Sequence, residues 1–200
     1  MSSMSCEFAE VCSLSGNNIK FISGEGNNNA DVMFVGRDPG NDENVQGRPF
    51  VGLAGNKLRM EIQHVFGSED KVWITNLVKC HTPNNRGPTI DEITICRVYL
   101  HREIMKIKPK VIVALGKDVS YYLLTKGYYS HYPNKPMSEL SGNVYTIPLI
   151  YKDYNDMISI LPCYHPSPRN LKYYSEISAT ILRAKELVDK LSEVQPSNKV

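Results

Sequence analysis

Asp31-Val-Met-Phe-Val-Gly36 is a near-continuous apolar run, and the polar turn Arg37-Asp-Pro-Gly40 follows it directly. Three further runs of this kind recur along the chain: Lys71-Val-Trp-Ile-Thr-Asn76, Lys110-Val-Ile-Val-Ala-Leu-Gly116 and Met157-Ile-Ser-Ile-Leu-Pro162. Apolar runs without alternation are typical of strands that are covered on both faces of a parallel sheet. The runs therefore predict a parallel sheet buried between two layers of helices.

Helical patterns separate the first three runs and close the chain. The predicted helices are Gly55 to Val65, Asp91 to Ile107, Lys117 to Leu124 and Lys172 to Leu191. The fourth strand is reached through a Tyr-rich connection, Lys126 to Asp156, in which Gly142-Asn143 predicts a hairpin. This order predicts an α/β fold, a three-layer α/β/α sandwich around a central four-stranded parallel sheet.

Length and composition favour a single globular domain. The chain has 200 residues, 42% of them hydrophobic, and a net charge of +2, which argues against an acidic disordered tail or a strongly basic nucleic-acid wrapper. We expect one domain over residues 1–200, with an ordered core of about residues 6–191. No apolar run is long enough to cross a bilayer, and Met1 to Glu10 lacks the layout of a secretory signal. We therefore expect a cytoplasmic monomer without a membrane partner.

Polar residues follow the predicted strands at their carboxyl ends, where open α/β sheets bind ligands. Asp38, Asn76 and His165 each stand just after, or at the end of, an apolar run. The stretch Gly47-Arg-Pro-Phe-Val-Gly-Leu-Ala-Gly55 adds glycines that let amides approach a phosphate, and it presents Phe50 as a flat platform. Each residue alone reads as an ordinary turn, strand end or loop histidine. Together they predict one site with a carboxylate, a carboxamide and an imidazole.

These motifs resemble those of the uracil-DNA glycosylases, and the closest group is the iron–sulfur, family 4 type. The resemblance is carried, in the same order, by Val35-Gly-Arg-Asp-Pro-Gly40, Gly47-Arg-Pro-Phe-Val-Gly-Leu-Ala-Gly55, Ile74-Thr-Asn-Leu-Val-Lys-Cys80, Asn85-Arg86 with Pro88, Val113-Ala-Leu-Gly116 and Tyr164-His-Pro-Ser167. It implies an enzyme that flips a uracil nucleotide out of DNA and hydrolyses its N-glycosidic bond. The implied partner is uracil-containing DNA.

The resemblance also implies roles for the motif residues. Asn76 would hydrogen-bond uracil O4 and N3, Phe50 would stack on the ring, and His165 would donate to O2 as the bond breaks. Glu43 falls where the family places an acidic residue that crowds out the methyl group of thymine. The residues implied to contact the base are Gly36, Arg37, Glu43, Phe50 and Asn76. The residues implied to contact DNA, or to fill the gap left by the flipped base, are Gly52, Arg86, Ser167, Arg169 and Leu171.

Arg37 and Asp38 depart from the iron–sulfur type, which carries Gly-Glu-Ala/Gly-Pro-Gly after the first strand. Asp38 instead matches the Gly-Gln-Asp-Pro pattern of family 1, whose Asp supports the oxocarbenium-like sugar and positions water. The resemblance therefore implies that Asp38 is the catalytic carboxylate, acting with His165. Arg37 would contribute through its backbone or contact a phosphate. Three alternatives remain: a binding protein of the same fold that does not cut DNA, a relative of the same fold whose substrate choice is altered by Arg37, and an unrelated α/β enzyme acting on nucleotides.

Five cysteines in a chain without an export signal argue against a disulfide framework. By resemblance, Cys80 and Cys96 correspond to the second ligand pair of a [4Fe–4S] cluster, and Cys12 to the second member of an amino-terminal Cys-x-x-Cys. Ala9 stands where the first member belongs. The implied ligands are therefore Cys6, Cys12, Cys80 and Cys96. Buried free cysteines and a zinc site are the alternatives, and Cys163 is predicted to pack in the core.

Basic residues in the segments after the strand ends predict a positively charged rim around the site. They are Lys79, His81, Arg86, Lys117, Arg169 and Lys172. Such a rim would face the phosphates of DNA, and its contribution to binding would weaken as salt rises.

Overall fold

The computed structural model of the protein describes residues 6–16, 18–125, 135–151 and 154–194. The strands described there form one sheet. They are β1 (Glu25–Gly26), β2 (Val32–Gly36), β3 (Val72–Asn76), β4 (Val111–Leu115), β5 (Tyr145–Tyr151) and β6 (Tyr154–Cys163). Their order across the sheet is β1-β3-β2-β4-β6-β5.

The described helices are α1 (Asn41–Gln46), α2 (Leu53–Phe66), α3 (Ile90–Ile107), α4 (Lys117–Leu124), α5 (Met137–Leu140) and α6 (Tyr174–Val194). Each of the four predicted helices is present, with small shifts at its ends. The start of α3 shows why the sequence begins a helix there: Thr89 Oγ1 accepts the N–H of Glu92, and the Glu92 carboxylate accepts the N–H of Thr89. No described helix combines the length and the apolar composition that a membrane crossing requires.

The sheet is mixed rather than purely parallel. Strands β3, β2, β4 and β6 are parallel neighbours, as the apolar runs predict. Two antiparallel edge strands extend this group, because β1 pairs with β3 and β5 pairs with β6. The prediction of a four-stranded sheet is therefore corrected to six strands within the described residues.

The hairpin predicted at Gly142-Asn143 is wrong in position. Those two residues form the turn between α5 and β5, where the Gly142 N–H donates to Pro162 O at 2.9 Å. The antiparallel pair is β5 with β6, and residues 152–153, which separate these strands in the sequence, are outside the described part of the chain. Gly142 therefore lies in a turn, as predicted, but this turn does not join β5 to β6.

Alternate residues of the strands enter two separate cores. In β2, Met33 and Val35 face the core under α3 and α4, whereas Val32 and Phe34 face the core under α2 and α6. This division follows from the two-residue period of a strand. The predicted α/β sandwich is confirmed, and the carboxyl ends of β2, β3, β4 and β6 meet at one edge between the helix layers.

Candidate active site

Three predicted site residues meet at the carboxyl edge of the sheet. Gly36 ends β2 and is the register partner of Asn76, which ends β3. A Cβ atom on Gly36 would lie 2.4 Å from Asn76 Oδ1 and 2.4 Å from Phe50 Cζ. Glycine at position 36 therefore keeps this space open, because any side chain there would force Asn76 or Phe50 to shift.

Asn76 carries an unsatisfied acceptor inside the protein. The residue is 2% exposed, and its Oδ1 has no hydrogen-bond partner among the described residues. Leaving a buried polar atom unpaired costs free energy, so such atoms in folded proteins call for an explanation. A carboxamide held open beside an aromatic ring is suited to a planar ligand that supplies the missing donor.

Phe50 is held in an unusual backbone conformation. Its φ angle is +54°, in the left-handed region that costs free energy for a residue with a bulky side chain. The first turn of α2 packs directly on this backbone, since a Cβ on Gly55 would lie 2.1 Å from the Phe50 carbonyl carbon. The Phe50 ring is 5% exposed, and its centroid is 6.3 Å from that of His165.

His165 follows β6 and is held by its own loop. The Ser167 N–H and Asn170 Nδ2 both donate to the His165 carbonyl, at 2.8 and 2.9 Å. Burial first, and then the positive charge of Arg37, lower the pKa of His165 to about 4, against a smaller opposing effect of Glu43. The imidazole is therefore neutral at pH 7, with one N–H to donate and one lone pair to accept.

Asp38 is fixed by two donors. Arg37 Nε pairs with Asp38 Oδ1. The Thr82 hydroxyl has one proton to share between Asp38 Oδ2, at 2.9 Å, and the Arg86 carbonyl, at 2.6 Å. The Arg37 guanidinium also reaches Asp118 Oδ2 and the Arg86 carbonyl, each at 3.4 Å. The Asp38 carboxylate thus lies two residues beyond Gly36, and its hydrogen bonds join it to its neighbour Arg37 and to Thr82 in the loop after β3.

Glu43 joins the two loops that border the site. Its carboxylate accepts the N–H of Gly40 at 3.0 Å and those of Val51 and Gly52 at 2.8 Å. The Gly52 N–H, predicted to hold a phosphate, is therefore engaged by Glu43. A phosphate at this position would have to use the next N–H groups of α2, starting at Leu53, which have no acceptor within the helix. A contact of Glu43 with the base stays a prediction.

Lys79 is wrong as a member of the predicted basic rim. Its side chain is 0% exposed, and Nζ donates to Thr75 Oγ1 at 2.6 Å, to the Asn76 carbonyl at 2.8 Å and to Glu103 Oε2 at 2.7 Å. The burial of this charge is compensated by those three acceptors. Lys79 therefore anchors the main chain of Asn76 from inside, a role that the sequence alone did not reveal.

Of the remaining residues predicted to contact DNA, three are exposed, and one of these is hydrogen-bonded to a carboxylate of the protein. Leu171 is 57% exposed, and Arg169 beside it is also exposed. Ser167 precedes the short 3-10 helix Pro168–Tyr173 that carries both. Arg86 is exposed, but it donates to both oxygens of Glu92, at 2.8 and 2.6 Å. A phosphate would have to compete with that carboxylate for Arg86.

Four cysteines lie in, or pack against, the core under α3. Cys12, Cys80 and Cys96 share the core under α3, and Cys6 packs against it. Burial and the three neighbouring thiols raise the pKa of Cys80 to about 12. Cys163 lies in the opposite core, which agrees with its predicted packing role.

Polar donors surround these thiols. The Lys79 N–H donates to Cys96 Sγ at 3.1 Å, and the Tyr99 hydroxyl donates to Cys6 Sγ at 3.6 Å. Hydrogen bonds of this kind accompany sulfur ligands in iron–sulfur proteins. Among the described residues, no three or more His, Cys, Asp or Glu side chains form a group that could hold a metal ion. The assignment of the four cysteines to a [4Fe–4S] cluster therefore stays a prediction.

A surface hollow of about 450 Å³ lies away from this edge. It opens on the outer face of α3 and is lined by Phe8, Thr94, Ile95, Arg97, Val98 and His101. None of the predicted site residues borders it. The candidate active site is therefore assigned from the geometry around Gly36 and not from a preformed cavity.

Comparisons with known proteins show the family to which the chain belongs. A family model described as the uracil DNA glycosylase superfamily matches residues 23–188. A type-4 uracil-DNA glycosylase of Saccharolobus solfataricus is 41% identical over 147 residues, which are 73% of this chain and 65% of that protein. One from Sulfurisphaera tokodaii is 42% identical over 147 residues, 73% of this chain and 64% of that protein. One from Archaeoglobus fulgidus is 34% identical over 164 residues, 82% of this chain and 77% of that protein.

The chain therefore belongs to the uracil-DNA glycosylase superfamily. Within it, the similarity is to the type-4 group, and the resemblance inferred from the sequence motifs is confirmed. The chain spans slightly less than two thirds of the length of the Saccharolobus and Sulfurisphaera relatives, 65% and 64%.

Proposed function

We propose that this protein is a DNA repair glycosylase that hydrolyses the N-glycosidic bond of deoxyuridine in DNA, releases uracil and leaves an abasic site. The observation that carries the proposal is the unpaired, buried Oδ1 of Asn76 beside the ring of Phe50. Superfamily membership supports the same reaction. The proposed partner is uracil-containing DNA, which a monomer would bind inside the cell.

Base recognition follows from the chemistry of the carboxamide. Uracil presents an N3–H donor beside the O4 acceptor, and Asn76 offers the complementary Oδ1 acceptor and Nδ2 donor. Cytosine presents an acceptor at N3 and a donor at its amino group, so it mismatches both atoms. Phe50 would stack on the flipped ring, and Glu43, which orders the loop containing Val51 and Gly52, would border the C5 side.

Bond cleavage leaves negative charge on uracil and positive charge on the sugar. A neutral His165 would donate its N–H to O2 as that negative charge develops, which stabilises the leaving group where it is needed. The Asp38 carboxylate, oriented by Arg37 and Thr82, would face the positive sugar and position the attacking water. Leu171, with Arg169 beside it, would fill the space left by the flipped nucleotide.

Cys6, Cys12, Cys80 and Cys96 are proposed to hold a [4Fe–4S] cluster. When bound, such a cluster would cross-link the amino-terminal segment, α3 and the loop after β3. Ser13 Oγ already donates to Glu92 Oε1 at 2.7 Å, which fixes the segment of Cys12 against α3. The grouping of the thiols and their hydrogen-bond donors supports this proposal; buried free cysteines and zinc are its alternatives.

One observation favours a second function, a protein that binds uracil-containing DNA without cutting it. Both oxygens of Asp38 accept hydrogen bonds in this structure, which leaves the carboxylate less available to activate water. Incubation with a single-stranded oligonucleotide containing one uracil separates the two functions. We expect alkali-labile strands from the uracil oligonucleotide and none from its thymine counterpart. A shifted band without alkali-labile product would support the binding protein and overturn the glycosylase.

A further inference from the structure

The strained backbone of Phe50 needs a group that holds it in place. Phe50 has φ +54°, and Gly55 of α2 presses on its carbonyl from one side. Residues in sparsely populated backbone regions persist only where the surroundings over-determine them. The packing of Gly55 limits the space around Phe50 but supplies no attractive interaction to its polar atoms.

Arg59 supplies that interaction. Its side chain projects from α2 and is 12% exposed. Arg59 Nε donates to the Phe50 carbonyl at 2.7 Å, and Nη2 donates to the Pro49 carbonyl at 2.7 Å. Two consecutive peptide carbonyls, one of them belonging to the strained residue, are thus bound by one rigid guanidinium.

The guanidinium is itself fixed by two carboxylates. Arg59 Nη2 donates to Glu25 Oε1 at 2.6 Å, and Nη1 pairs with Glu69. Glu25 lies in β1 and Glu69 in the 3-10 turn before β3. The planar fork of an arginine matches such a set of acceptors, whereas a lysine offers a single point charge and cannot reproduce it.

We propose that Arg59 is a positioning residue for base stacking: its guanidinium clamps the carbonyls of Pro49 and Phe50, so that the Phe50 ring is set against the base pocket before the base enters. This inference rests on the proposed function, because it assigns the stacking partner of the flipped base. A ring fixed in advance loses less conformational entropy on binding. Loss of the clamp should therefore weaken base binding more than it slows bond cleavage.

The chain offers a matched control. Arg48 also pairs with Glu25, through Nε to Oε2 at 3.0 Å and Nη2 to Oε1 at 2.7 Å, but its side chain is 58% exposed. Arg48→Gln and Arg59→Met each remove a cation from Glu25. Only Arg59→Met also removes the hydrogen bonds to the Pro49 and Phe50 carbonyls. Arg59→Lys keeps the charge and removes the fork.

The experiment measures the dissociation constant of free uracil by calorimetry, together with KM and kcat on a uracil oligonucleotide. Base–aromatic stacking contributes a large part of the free energy of base binding. We therefore expect Arg59→Met and Arg59→Lys to weaken uracil binding by about tenfold. We expect a matching rise in KM, a smaller change in kcat, and values within about twofold of wild type for Arg48→Gln.

A double-mutant cycle with Phe50→Ala separates positioning from general destabilisation. If Arg59 acts through the ring, Arg59→Lys changes uracil binding in the wild-type background and has no further effect in Phe50→Ala. Equal losses in both backgrounds, or a loss with Arg48→Gln as large as with Arg59→Lys, would overturn the inference. Binding of uracil without excision by the wild-type protein would instead refute the proposed reaction, while the cycle would still report on Arg59.

Discussion

Gly36 and Asn76 are register partners at the ends of β2 and β3, and a Cβ atom on Gly36 would stand 2.4 Å from Asn76 Oδ1. The proposed base site therefore lies at the carboxyl ends of two paired parallel strands. This pairing fixes the main chain of both residues, which limits how far the carboxamide can move. If Asn76 recognises the base, as we propose, its orientation depends on this pairing.

Gly36→Ala is expected to block the site while leaving the fold largely intact. The added methyl group collides with Asn76 Oδ1 and Phe50 Cζ. Displacing the carboxamide that hydrogen-bonds the base by about 1 Å costs on the order of a hundredfold in rate. Excision from a uracil oligonucleotide measures the effect. Gly16→Ala is the control, because a Cβ there would meet only Ile19 Cδ1 at 3.9 Å. Full activity of Gly36→Ala would place the base elsewhere.

Asn76→Asp should shift the base preference from uracil toward cytosine. The carboxylate replaces the amide donor with an acceptor, which repels uracil O4 and accepts from the cytosine amino group. We expect uracil excision to fall at least about a hundredfold, as in sites built to hydrogen-bond one partner. Competition between uracil and cytosine oligonucleotides measures the ratio. Asn29→Asp, the same charge change at an exposed position, should leave it unaltered; an unchanged ratio in Asn76→Asp would contradict the assignment.

The low pKa of His165 predicts a pH-dependent loss of stability. Burial and Arg37 lower its folded-state pKa from 6.5 to about 4, so the unfolded state binds the proton first as the pH falls. This contribution to the free energy of unfolding is fully present above pH 6.5 and is lost progressively between pH 6.5 and about 4. The loss amounts to about 2 kcal/mol near pH 5.

Urea unfolding at pH 7 and pH 5 measures that contribution. The fall in unfolding free energy should be smaller in His165→Asn than in the wild type, by about the same 2 kcal/mol. His64→Asn, at an exposed histidine of α2, should behave as the wild type does. Identical pH dependence in the wild type and His165→Asn would show that the imidazole is not held neutral by the fold.

Cys80→Ser and Cys96→Ser should abolish the absorption of a [4Fe–4S] cluster at about 400 nm. Cys163→Ser is the matched control, because Cys163 is equally buried but lies in the opposite core. Protein purified without oxygen should carry about four irons per chain, and chelation of that iron should lower the unfolding midpoint. Colourless wild-type protein with zinc or no metal would contradict the cluster.

The sequence predicts the parts of the fold that have a regular pattern. Strands β2, β3 and β4 are buried on both faces, so their apolar runs are continuous and easily found. The two-residue strand β1 is too short to show a period. The antiparallel pairing of β5 with β6 depends on tertiary contact, and the tyrosines of the connection masked its strand pattern.

The sequence predicts the site residues that end a strand. It does not predict the residues that support the site by hydrogen-bonding its main chain. Asn76 could be found because polar residues at strand ends are exceptional in buried runs. The sequence predicts Lys79 at the surface, because lysine is almost never buried without partners, and its partner Glu103 lies on another element. Arg59 carried no local signal either: its acceptors are main-chain carbonyls, which every residue possesses.

Mass spectrometry of both products from a uracil oligonucleotide tests the central claim most directly. Hydrolysis of the N-glycosidic bond gives the hydrogen of water to uracil and its hydroxyl to C1′ of the sugar. The wild-type protein should therefore release free uracil and leave, in equal amount, a strand with an abasic sugar at that position. A strand that keeps its uracil, or release of uracil still attached to its sugar or phosphate, would contradict the account.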